Sequence, residues 1–142
     1  MRSGERCVIC RQGVPRNLLA ELETSWVTFG EQAPIRGYTC LVFRRHAVEL
    51  HDLSEVEGAT FFRDVRRVSR AVAETTGAIK LNYEIHGNTV PHLHIHYFPR
   101  YIGDPFEGRP IDPRPVATSP YAPGEFAAMR ERLATLLGGK GG

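Results

Sequence analysis

Apolar and polar residues alternate most strictly where Leu93, Ile95 and Tyr97 interleave with His92, His94 and His96. A period of two predicts a β-strand over residues 92–99, with the apolar side chains on one face and three imidazoles on the other. Residues 78–85 predict its hairpin partner, and Gly87-Asn88 lies in the connection. Upstream, residues 18–22 and 26–29 read as two short strands. Residues 38–43, opened by Gly37, form a nearly unbroken apolar run, which predicts a buried central strand. The pattern then changes period. Ser54-Glu55-Val56-Glu57 is a capping-box sequence, so a helix is expected to begin there. Phe61, Val65, Val68 and Val72 follow at helical spacing as its buried stripe, while Arg63, Arg66, Arg67 and Arg70 fall on the opposite, solvated side. Gly77 is the expected stop.

Residues 101–123 lose both periods. Pro105, Pro110, Pro113, Pro115, Pro120 and Pro123 make this irregular chain that wraps the body or reaches a neighbouring subunit. A last helix is expected over residues 123–137, with Phe126, Met129, Leu133, Leu136 and Leu137 as its apolar stripe. Residues 139–142 are expected to be a mobile tail. A strand-rich body with one long helix predicts the α+β class. A chain of 142 residues is expected to form a single domain, 1–142, with the proline-rich segment and last helix as an extension.

Composition is that of an ordinary globular protein, with 42% hydrophobic and 24% charged residues. A net charge of +2 gives no reason to expect a nucleic-acid partner. No apolar run reaches transmembrane length, so no membrane partner is expected. No signal-like apolar segment follows Met1 to Arg6, and a cytoplasmic location is the expectation. Three cysteines in such a compartment point to reduced thiols or a metal rather than to disulfides.

Two groups of residues carry candidate chemistry. Three imidazoles on one strand face can chelate one ion, or they can supply a nucleophile with helpers; an imidazole attacks when neutral and held in one tautomer. Gly87 permits close backbone approach before the triad, and the Asn88 amide can donate to an anionic oxygen. The second group is Cys7-Val8-Ile9-Cys10, half of a zinc site. Zinc takes four N or S ligands, and His46, His51 and His92 are the candidates to complete it. Cys40 stands alone in an apolar segment.

The run His92-Leu93-His94-Ile95-His96-Tyr97-Phe98 resembles the signature of the histidine triad (HIT) family. Asn82, Gly87-Asn88 and Pro99-Arg100 stand where that family has similar residues. The segment from Gly37-Tyr38 to Arg45-His46 resembles its strand and the basic-histidine segment after it. Cys7 and Cys10 resemble its zinc-binding bacterial branch, with diadenosine polyphosphate hydrolase-like members. The resemblance spans roughly residues 7–101. It implies an antiparallel sheet with one long helix, a homodimer, and a nucleotide as small-molecule substrate. It also implies a nucleotide hydrolase or nucleotidyl transferase acting on the α-phosphate of dinucleoside polyphosphates or nucleoside phosphoramidates through a nucleotidyl-histidine intermediate. Carried over, His94 is the nucleophile and His96 a phosphate or leaving-group contact. Asn82 and Asn88 line the phosphate pocket, and Cys7, Cys10, His46 and His92 hold a structural zinc, with His51 the alternative to His46. The other reading is a zinc-containing nucleotide-binding or scaffolding module with little turnover.

Three positions depart from the family pattern. Asn88 replaces the usual glutamine, one methylene longer. Gly30-Glu31 stands near where many members of the family place an aspartate that grips the ribose, so either Glu31 does that job one position later or the nucleoside is held differently. His86 adds an imidazole beside the turn with no family role.

Overall fold

The computed structural model describes residue 4, residues 7–112 and residues 118–138. Five strands, β1 (Leu18–Glu21), β2 (Ser25–Thr28), β3 (Thr39–Phe43), β4 (Lys80–Glu84) and β5 (His94–Arg100), form one sheet in the order β1-β2-β3-β5-β4. Every adjacent pair is antiparallel. Three helices accompany it: α1 (Val8–Gln12), α2 (Glu55–Thr76) and α3 (Glu125–Leu136). The α+β architecture expected from the residue pattern is therefore the observed one.

The central strand β3 is buried at all five positions, as its apolar run predicts. Leu41 and Val27 are fully buried against Phe61, Val68 and Val72 of α2. Each such side chain contributes about 1.5–3 kcal/mol of burial free energy. The α2 start is the expected capping box: the Glu57 amide donates to Ser54 Oγ at 3.1 Å, and the Ser54 amide to Glu57 Oε1 at 2.9 Å. Gly77 ends the helix in the left-handed region at φ 69°, its amide bonded to the Ala73 carbonyl.

Three boundaries differ from the residue pattern. The triad strand starts at His94, because His92 turns out of the sheet toward the cysteines. Its partner β4 is shorter than expected, covering Lys80–Glu84. The cysteine pair opens a helix that the residue pattern does not predict: Cys7 is the N-cap of α1 and Cys10 lies on it, with the Cys10 amide donating to Cys7 Sγ at 3.4 Å.

The described part of the proline-rich segment wraps over the sheet. Ile111 is buried with Ile35 and Phe98. The Gly37 amide donates to the Tyr121 hydroxyl at 2.8 Å. Gly37 has φ 86°, and a Cβ there would meet Thr76 Cγ2 at 2.4 Å, so only glycine fits the entry to β3. Pro113, Pro115 and the tail 139–142 lie outside the described residues. Among those described, no helix is long and apolar enough to cross a membrane.

Candidate active site and metal centre

Two centres share the triad segment and face different ways. The first is built on β5. Alternation puts His94 and His96 on one face, half-buried, with Ile95 and Tyr97 buried on the other. The two imidazoles meet edge to face with ring centroids 4.8 Å apart. His94 Nδ1 lies 2.5 Å from the His92 carbonyl oxygen. A carbonyl only accepts, so Nδ1 carries the proton, and Nε2 of the neutral ring holds the lone pair. The backbone thus fixes the tautomer an attacking imidazole needs.

His96 is held by Tyr38, whose hydroxyl lies 2.6 Å from Nδ1 and whose ring stacks on His96 and Phe98. With Tyr38 donating, His96 presents Nε2–H. Burial, with His94 and His86 alongside, pushes the His96 imidazole down from 6.5 to about 4. It is therefore a neutral hydrogen-bond donor at physiological pH. The shift has a consequence for stability. Below pH 6.5 the unfolded chain takes up a proton at this residue that the folded chain refuses until about pH 4. Stability is expected to be undiminished by His96 above pH 6.5, to fall as pH drops through that window, and to level off below it. Melting temperatures measured from pH 8 to pH 4 check this. His96→Asn should flatten the slope, and an unchanged slope would contradict it.

Two cavities flank the pair. One, of about 390 Å³, is lined by Val8, Ile9, Val42 and Tyr38 beside the two histidines, with Asn17 and Gly30 at its wall. The other, of about 790 Å³, is lined by His86, Asn88 and residues 110–112 beside the same histidines. Asn88, expected at the phosphate, is exposed and lines this second cavity. Glu31 is exposed and does not line the cavity that Gly30 does. Asn17 occupies that wall instead: a Cβ on Gly30 would sit 2.7 Å from Asn17 Nδ2. Asn17 adopts φ 58°, a conformation asparagine tolerates better than most residues. Asn82 is placed apart from the histidine pair. Its carboxamide oxygen accepts from Arg100 at 2.9 Å, along a groove shared with Asp104. His86 Nε2 donates to Glu84 Oε1 at 2.9 Å.

The second centre gathers Cys7, Cys10, His46 and His92, whose ligand atoms all lie within 4.8 Å of one another. His92 Nδ1 is 3.3 Å from Cys7 Sγ and 3.5 Å from Cys10 Sγ, and His46 Nδ1 is 3.3 Å from Cys10 Sγ. A tetrahedral zinc with these ligands has edges of about 3.3–3.8 Å, close to those separations. His92 Nε2–H donates to the Phe43 carbonyl at 2.6 Å, which leaves Nδ1 aimed at the sulfurs. Metal-bound histidines are oriented in this manner. His46 is carried by a braced turn. The Arg45 guanidinium bonds both carboxylate oxygens of Glu57, at 2.8 and 2.9 Å, and the carbonyl of Asp52. Its hydrogen bonds, with the Ser54 amide, hold the Glu57 carboxyl down at about 2. Local desolvation and then the neighbouring Cys7 push the Cys10 thiol up to about 11. A divalent cation would reverse that balance by stabilising thiolate. The cluster fits a metal, and exposed His51 is not part of it.

The fold has many solved counterparts. A histidine triad protein from Bradyrhizobium japonicum superposes with a TM-score of 0.68 at 34% identity, covering 82% of this chain and 89% of that one. A zinc-bound histidine triad family protein from Mycobacterium smegmatis gives 0.67 at 26% identity, over 92% and 95%. An adenosine 5'-monophosphoramidase of Schizosaccharomyces pombe is 29% identical over 96 residues, 66% of this chain and 71% of that protein. The family model described as the HIT domain matches residues 11–103, well over half of the sequence and inclusive of the triad. The chain belongs to the histidine triad (HIT) domain family.

Proposed function

We propose that this protein is a nucleotide hydrolase or nucleotidyl transferase in which His94 attacks the α-phosphorus of a nucleoside phosphoramidate or a dinucleoside polyphosphate. One observation carries the reading: the His92 carbonyl accepts the hydrogen bond of His94 Nδ1–H, and His94 lies where the two cavities meet. The phosphoramidase among the relatives supports the same chemistry. The smaller, more apolar cavity suits the nucleoside, with Asn17 available to a sugar hydroxyl. The larger one suits the leaving group, with Asn88 and His96 Nε2–H as donors to the phosphoryl oxygens. Fixed donors of this kind stabilise developing charge without reorganising.

In the first half-reaction the Nε2 lone pair forms a P–N bond, and the bond to the leaving group breaks with its electron pair. In the second, water or another acceptor attacks phosphorus and the P–N(His94) bond breaks. With water nucleoside monophosphate is released, with another acceptor the nucleotidyl group leaves on that acceptor, and in both cases the imidazole is restored. The test is release of nucleoside monophosphate from a panel of both substrate classes by the wild type but not by His94→Ala. Binding without release would favour the scaffolding alternative.

The metal we assign to Cys7, Cys10, His46 and His92 is zinc, in a structural role. Its thiolates call for a reducing compartment such as the cytoplasm.

We also place a homodimer interface on α2 and β4. Strand β4 ends the sheet, and an apolar groove of about 600 Å³ runs beside it, lined by Leu50, Phe61, Phe62, Val65, Tyr83 and Ile85. Phe62 is 61% and Ile85 44% exposed. A second copy can cover both the strand edge and the groove by a two-fold axis. Sedimentation of wild type at micromolar concentration should give a dimer, and Phe62→Asp with Ile85→Asp should give a monomer. A wild-type monomer would sink this assignment.

A further inference from the structure

We propose that His86, held by Glu84, is the proton donor to the leaving group. The inference rests on the reading of His94 as nucleophile and adds a residue to it. The sheet register places Glu84 of β4 directly opposite His96 of β5. Two residues later, just past the end of β4, His86 donates Nε2–H to Glu84 Oε1 at 2.9 Å. Its ring centroid stands 6.1 Å from that of His96. The Glu84 side chain is 24% exposed and that of His86 54%, so the carboxylate is recessed behind an imidazole that opens on the larger cavity. A carboxylate holding one ring nitrogen of an imidazole whose other nitrogen faces reactants is an acid–base arrangement.

The reaction needs such a group. An amine or alkoxide departing from phosphorus is strongly basic and requires a proton as the bond breaks. His96 is unsuited to give one, because a neutral imidazole N–H is a very weak acid. Among the described residues lining the larger cavity there is no lysine or arginine, while Glu84 and Asp112 are both acidic.

The step balances. His94 Nε2 forms its bond to phosphorus, and the P–N bond to the leaving amine breaks with its electron pair on nitrogen. The proton on His86 Nδ1 passes to that nitrogen, and the imidazolium becomes imidazole. In hydrolysis the neutral His86 takes a proton from the attacking water and is restored.

The experiment uses two substrates that differ only in leaving group: an adenosine 5'-phosphoramidate of an alkylamine and the p-nitrophenyl ester of AMP. The nitrophenolate departs without a proton. His86→Asn should lower kcat/KM on the phosphoramidate about 10²- to 10³-fold and on the ester less than about threefold. Glu84→Gln should show the same split at smaller size, as befits a positioning residue. Equal loss on both substrates, or no loss on either, overturns the assignment of His86. A rapidly quenched, alkali-stable and acid-labile adenylyl adduct formed from the ester by His86→Asn keeps the His94 reading intact in either case. Absence of that adduct in the wild type overturns both.

Discussion

His94→Ala is expected to lose turnover by about 10⁴- to 10⁶-fold, the range in which removal of a covalent nucleophile falls. Nucleotide binding should change little, because His94 is one of many residues lining the two cavities. The substitution also removes the Nδ1–H donor to the His92 carbonyl. That carbonyl can turn to water, so the cost to stability should be about 1 kcal/mol, and the variant should still fold. Wild type quenched in denaturant at alkaline pH, where a P–N(imidazole) bond survives, should carry a mass increment of one nucleotidyl group on the peptide containing residues 92–100, and His94→Ala should not. His96→Asn should slow turnover far less, since it removes one of several charge-stabilising contacts. Turnover by His94→Ala at the wild-type rate would show that the covalent route is wrong.

The fold was readable in the sequence where local and global signals agreed. The apolar run of β3, the capping box of α2 and the alternation of β5 each report burial directly, and each forms the expected element, β5 without its first two residues. The outcome at His92 shows where this ends. Period-two spacing puts His92 on the face of His94 and His96, yet the chain leaves the sheet before His94, and His92 serves the cysteines. Periodicity cannot see that a long-range ligand competes with strand extension. Tyr38 and Asn17 were missed for a related reason. Tyr38 meets His96 across a pairing of β3 with β5, fifty-eight residues apart, and nothing local marks it. Asn17 matters because Gly30 leaves room for it, a relation between two loops that neither segment reveals alone. The resemblance already ranks His46 over His51, and the structure adds what positions it. Arg45 clamps onto the start of α2 and so turns the adjacent His46 inward, while His51 stays on the surface.

Removal of the metal is expected to destabilise the protein more than any single surface substitution. Cys7 and Cys10 lie N-terminal to the part of the chain that matches the family domain. Apart from the cluster, little buried surface ties α1 to the sheet: none of the α1 residues is fully buried, although Cys7 at its cap is 1% exposed. One zinc would therefore fasten the N-terminal segment to His46 after β3 and to His92 before β5. Zinc at about a thousand times its dissociation constant contributes roughly 4 kcal/mol by mass action. In a domain of this size that corresponds to roughly 8–16 °C in melting temperature. Purified protein should contain one zinc per chain by elemental analysis. A strong chelator, or Cys7→Ser, should lower the melting temperature by that amount, while His51→Ala should leave both zinc content and melting temperature unchanged. Chelation should also lower kcat without abolishing it, because His94 takes its tautomer from the carbonyl of a residue that the metal would hold. Zinc affinity should weaken toward acid pH, since both thiols and both imidazoles must shed protons to bind. A metal-free preparation whose melting temperature ignores chelator would remove zinc from this account and leave the four residues as a buried polar cluster.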